Sequence, residues 1–171
     1  MRTPASAAQD HKPAHMQGLL RHFADLRDAT HGNAVSRQDK EELFAVAVEF
    51  LDRYARQALA EMNAALLLGQ GVITATGLTR YPDGDLAATW SLGWHEQEQR
   101  RIAPVTLQAF FGQAFLHPHL RGATVGNWPL NVFSDADAAL ELPTLRAIAS
   151  ADLHNLVFQS DYRIIPAIVN R

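Results

Sequence analysis

The sequence predicts an α+β fold: a small antiparallel β-meander packed against a long helix in the N-terminal half and a helix near the C-terminus. Three observations carry this. Apolar residues recur at helical spacing over 37–67, a turn-centred hairpin with period two follows at 72–94, and helical spacing returns after Pro143. At 171 residues with 47% apolar content, the chain can build one substantial core. Residues 1–13, a mix of small, polar and proline residues, read as a tail, and 14–171 as a single domain.

The first helix begins near Ala14, with Met16, Leu19, Leu20, Phe23 and Leu26 at helical spacing, and ends near Thr30, with Gly32-Asn33 as its stop signal. His15, His22 and His31 do not share one face and are expected to be solvated. Ser36 resembles an N-cap, with Asp39, Glu41 and Glu42 in the turns where the helix dipole favours acids. The 37–67 helix follows, with Glu49–Arg53 and Asp52–Arg56 as i,i+4 pairs. At 1.5 Å per residue it would run roughly 45 Å, longer than the diameter of about 40 Å expected for a compact domain this size. It should therefore kink, protrude or pack against another subunit.

In the hairpin, Tyr81-Pro82-Asp83-Gly84 marks the turn. Leu86, Ala88, Trp90, Leu92 and Trp94 then share one strand face and are assigned to the core. Residues 104–116 fit either period; the proline start, β-prone content and Gly112 favour a third strand. A short fourth strand at an edge is read at 128–133, where Pro129 is tolerated. Ser134 with Asp137 resembles a capping box, a helix starts near Pro143, and 162–169 reads as extended.

The composition removes several functions. There is no cysteine, so disulfides, cysteine-ligated zinc and thiol nucleophiles are excluded. A net charge of −3 without a basic face gives no support for a nucleic-acid partner. No apolar run approaches the roughly 20 residues that span a bilayer, and the first ten residues lack a signal-peptide core. No membrane association is expected, and the expected compartment is cytoplasmic.

The segment with most chemistry is His117-Pro118-His119-Leu120-Arg121-Gly122. Proline biases His117 toward extended geometry, and residues two apart then face the same side, so His117 and His119 can address one ligand. Neutral imidazoles suit a divalent transition metal such as zinc, iron, copper or nickel. A metal site needs a third protein ligand, and the candidates are His95, His154, Asp135 and Asp137. Arg121 offers a fork for a carboxylate or phosphate, although its expected everyday role is a surface salt bridge. Trp128, after a glycine loop, is the tryptophan expected to be exposed and completes the candidate ligand-binding set of His95, His117, His119, Arg121 and Trp128.

Other patterns are set aside. His95-Glu96-Gln97-Glu98-Gln99 has Gln99 where a metalloprotease helix has its second histidine. Ser150, Asp152 and His154 are two apart on a helix, so they do not face one another as a triad would. Two functional classes follow. One is a binding or assembly module, self-associating, with a pocket for a small molecule or anion at 117–122. The other is a small metal-dependent or acid–base enzyme using His117 and His119.

Overall fold

The computed structural model describes residues 13–170, so the tail expected at 1–13 lies outside the described residues except for Pro13. Its helices are α1 (Ala14–Asp28), α2 (Arg37–Leu66), α3 (His95–Gln99), α4 (Asp135–Leu140), α5 (Leu142–Gln159) and α6 (Pro166–Val169). The strands are β1 (Val72–Ala75), β2 (Thr79–Arg80), β3 (Leu86–Gly93), β4 (Val105–Phe111), β5 (His119–Arg121) and β6 (Gly126–Pro129). All pair antiparallel in the order β1-β3-β4-β5-β6, with β2 also on β3. The α+β meander between a long helix and a C-terminal helix is therefore observed.

The ambiguity at 104–116 resolves to a strand because burial alternates along β4: Val105, Leu107, Ala109 and Phe111 are buried and their neighbours half-buried. These four join Leu86, Ala88, Trp90 and Leu92 of β3 and Leu120 of β5 on one sheet face. Phe44, Leu51 and Leu59 of α2, with Leu145 and Ile148 of α5, complete the same core. Fully burying each such side chain contributes about 1.5–3 kcal/mol. Polar groups fix the seams. Trp90 Nε1 donates to Asp52 Oδ1 at 2.9 Å. The wholly buried Asp152 accepts from Thr106 N at 2.9 Å, Thr124 N at 2.8 Å and Thr124 Oγ1 at 2.6 Å. Asp152 is thus a clamp between α5, β4 and the turn after β5, while Ser150 and His154 are exposed.

Local expectations hold at the helix starts. Ser36 Oγ accepts from Asp39 N, and Ser134 Oγ accepts from Asp137 N, both at 3.1 Å. Four expectations need correction. The fourth strand is Gly126–Pro129, ending where Leu130 N turns back to Pro118 O at 3.1 Å. The segment at 162–169 is a 3-10 turn followed by α6, because Asp161 accepts from Arg163 N and Pro166 occupies a first-turn position where its missing N–H costs nothing. Arg53 pairs with Asp135 at 2.7 Å instead of with Glu49; Arg56 does pair with Asp52 at 2.9 Å. Trp128 is half-buried and packs against the core, because its register opposite Leu120 turns it to the inner face.

The first helix is built the unexpected way round. Its buried residues are His22 and Asp25, while Met16, Leu20, Phe23 and Leu26 stay 43–56% exposed. A polar face is turned into the protein and an apolar face toward solvent.

Candidate metal centre

What meets α1's polar face is the start of β5. His117 is 1% exposed, and its Nε2 donates to the carbonyl of Thr30 at 2.6 Å. Because a carbonyl only accepts, the neutral ring carries its proton on Nε2 and its lone pair on Nδ1. His119 Nδ1 donates to His117 O at 3.1 Å, which leaves its lone pair on Nε2. Donation from one ring nitrogen to a backbone carbonyl is how proteins orient a metal-ligating imidazole.

His22 stands edge-on to both, with ring centroids 4.8 Å from His117 and 5.2 Å from His119. His31, 1% exposed, stands edge-on to His117 at 4.9 Å from the other side. The histidines expected to be solvated, apart from the exposed His15, are therefore buried. Asp25 lies between them, held by Thr30 Oγ1, which donates to its Oδ1 at 2.9 Å. Its Oδ2 is 4.0 Å from His117 Nε2, beyond hydrogen-bond reach.

The turn that delivers Thr30 and His31 is tightly specified. Ala29 ends α1 in the left-handed region at φ 54°, and Thr30 N returns to Asp25 O at 3.0 Å. His31 and Ala34 exchange both backbone hydrogen bonds at 2.9 Å. Gly32 has φ +59°, and a Cβ there would come within 2.8 Å of the Phe133 ring that packs on His31. Glycine is required at that position.

One donor atom from each of Asp25, His31 and His117 lies within 4.8 Å of the others, all three residues being buried. This group can hold a metal ion. Four polar atoms here, Nδ1 of His22, His31 and His117 and Oδ2 of Asp25, are buried without a hydrogen-bond partner. Each such atom costs about 1–3 kcal/mol when left unsatisfied. Burial, then the neighbouring His117, lowers the pKa of His22 and of His31 to about 4. Burial lowers His117 and His119 as well, against the opposing carbonyl bonds. All four rings are held toward the neutral form, the form that ligates. Lys40, 4% exposed, sets its charge against His31 and His117, and its own pKa is lowered by burial and then by Arg37.

Of the expected site residues, the structure brings His117 and His119 together around His22. It sets Arg121 two residues on, in β5, bonded through Nε to Gln108 Oε1 at 2.6 Å and stacked on Phe110, with no salt bridge among the described residues. The sheet's outer face, not a surface carboxylate, supplies its partners. His95 begins α3 beyond the opposite end of β3 and is exposed. Among the expected third ligands, Asp135 pairs with Arg53, Asp137 accepts from Phe133 N at 2.9 Å and His154 is exposed. The partners that sequence reasoning missed are Asp25, His31 and His22. The one local signal, for His22 and Asp25, was their i,i+3 spacing, which puts both on one flank of α1; His31 lies beyond the helix and had none.

Comparisons with protein-family models, curated proteins and solved structures return no match for this chain. Among the described residues, no helix is long and apolar enough to cross a membrane.

Proposed function

We propose that the chain is a metal-binding module. In it Asp25, His31 and His117 hold one divalent transition-metal ion of the zinc type, with His22 as the nearest further donor. The carrying observation is that ligand atoms of the buried Asp25, His31 and His117 lie within 4.8 Å of one another, in a neighbourhood where four polar atoms are buried without a hydrogen-bond partner. Bonds of about 2.0–2.2 Å in a tetrahedron place ligand atoms about 3.4 Å apart, so binding draws the group inward from its present spread. The ion ties α1 and the turn after it to the start of β5. With most of α1's large apolar residues outside, this polar contact, together with Arg21 over the Phe133 ring at 4.4 Å, holds the helix.

The burial of Asp25, His31 and His117 favours holding over hydrolysis, because catalytic metal sites keep one position open to substrate. The notion of an enzyme using His117 and His119 is therefore the less supported of the two classes. The test is zinc titration of metal-depleted, untagged protein by calorimetry. One equivalent should bind, and both Asp25→Asn and His31→Gln should weaken it at least about 100-fold. Sub-stoichiometric binding that survives both substitutions overturns the proposal.

Self-association is a second proposal with its own observation. The exposed Met16, Phe23 and Leu26, with the half-buried Leu19, follow three–four–three spacing along α1, the pattern of a helix-pairing seam.

A further inference from the structure

The outer face of the sheet carries a second constellation, independent of the histidine cluster. Thr89, Gln108 and Arg121 sit side by side on β3, β4 and β5. Gln108 Nε2 donates to Thr89 Oγ1 at 3.0 Å, and Gln108 Oε1 accepts from Arg121 Nε at 2.6 Å. The Arg121 guanidinium carbon lies 4.0 Å from the Phe110 ring centroid, and Phe110 is itself backed edge-on by Phe115. The guanidinium is thus fixed on one face and at Nε, while neither terminal amino group makes a hydrogen bond among the described residues. An arginine oriented this way is set up for a bidentate carboxylate or phosphate.

Arg121, Gln108 and Phe110 line an open cleft of about 440 Å³, closed on the other side by Tyr81, Asp83 and Asp85. The turn holding the two acids is hydrogen-bonded at both acids. Tyr81 N donates to Asp85 O at 2.8 Å, and Asp85 N to Asp83 Oδ1 at 3.0 Å. Asp85 Oδ1 accepts from Gln113 N at 2.6 Å. Neither acid forms an ion pair with Arg121 or any other base among the described residues. A simple anion would meet Arg121 but also the field of two carboxylates. A simple cation would meet the reverse.

We propose that this cleft binds a basic α-amino acid, its carboxylate on the Arg121 fork and its side-chain cation at Asp83 and Asp85, with the aliphatic stem along Phe110 and Tyr81. The charges fit: one guanidinium and two carboxylates leave −1, and lysine or arginine brings +1, its α-ammonium facing solvent at the open side of the cleft. The volume falls in the range of small-molecule pockets.

The test is a ¹H–¹⁵N NMR titration of the full chain with L-lysine, cadaverine and hexanoate in parallel. L-lysine should saturate shifts at 81–85, 108–110 and 121, with cadaverine and hexanoate each at least about tenfold weaker. Arg121→Gln should make L-lysine and cadaverine bind alike. The double variant Asp83→Asn, Asp85→Asn, on an exposed turn, should make L-lysine and hexanoate bind alike. Unchanged fingerprints elsewhere will show that both variants remain folded. Absence of saturable shifts with L-lysine, cadaverine binding as tightly as L-lysine, or variants that keep wild-type discrimination each overturn the assignment. Metal removal should leave all of these results unchanged, which separates this site from the proposed metal centre.

Discussion

His117 donates from Nε2 to the carbonyl of Thr30 at 2.6 Å across 87 positions of sequence, and this bond joins the segment leading into β5 to the turn after α1. It also decides which nitrogen of His117 keeps its lone pair. In metal-free protein, His117→Ala leaves a carbonyl in the interior without a donor and opens a cavity, and should cost about 2–4 kcal/mol in urea unfolding. His119→Ala, at a half-buried ring whose bond is to the adjacent backbone, should cost less than about 1 kcal/mol. Equal costs would show that the Thr30 bond has no special weight.

Lys40 separates metal binding from a merely structural polar network. It is buried beside Asp25, whose carboxylate favours its charge, while Lys40 in turn opposes charge on His31 and His117. A metal cation has to share that space. Lys40→Met should tighten zinc binding about tenfold by removing the repulsion. In metal-free protein the same change leaves the Asp25 carboxylate without its countercharge and should lower stability by about 1–3 kcal/mol. Calorimetry and urea unfolding should thus move in opposite directions, and a loss in both would count against the metal.

Much of the fold was legible because it is written locally. The 37–67 period, the Tyr81–Gly84 turn and the alternation from Leu86 to Trp94 each act within a few residues. The site was legible only through His117 and His119. Asp25 and His31 come from the other end of the chain, and nothing in a window around 117 contains them. Periodicity misleads at α1, where leucine spacing suggests an inward face and the structure turns His22 and Asp25 inward instead. Arg121 shows the same limit, since its partner Gln108 is fixed by strand register and not by sequence neighbourhood.

The turn after α1 carries a cost that a single substitution relieves. Ala29 sits at φ 54°, a conformation that costs an alanine roughly 1 kcal/mol and a glycine almost nothing. Ala29→Gly should raise Tm by about 2–4 °C by calorimetry without altering zinc affinity. An unchanged or lower Tm would mean that the turn is held by contacts the alanine methyl itself makes.

Glu141, half-buried where α4 meets α5, has its pKa raised to about 7 by burial, with Asp137 adding to the shift and a Thr144 hydrogen bond opposing it. For an acid raised in the folded state, the stability contribution is present below the unfolded value and is lost as pH rises through the folded one. The wild type should therefore weaken between about pH 4.5 and 7 and level off above that. Allowing for partial exposure, the loss should be about 1–2 kcal/mol. Glu141→Gln, neutral throughout, should flatten that profile and be the more stable protein at pH 8. Parallel profiles for the two proteins in urea unfolding would show that Glu141 ionises without penalty.

The outward face of α1 makes self-association testable apart from any ligand. Leu20 and Phe23 are 52% and 56% exposed, yet they belong to the apolar side of an amphipathic helix. A basic polar face would instead suit a lipid surface, but α1 carries two acids and two bases. Two copies pairing along the seam would bury these side chains, and a seam of only 15 residues should give weak, concentration-dependent dimers. Light scattering across a dilution series should show this for the wild type. Met16→Glu with Leu26→Glu should give a monomer at every concentration while keeping zinc stoichiometry, because both are exposed seam residues outside the histidine cluster. A wild type that is monomeric at the highest concentration would refute the seam.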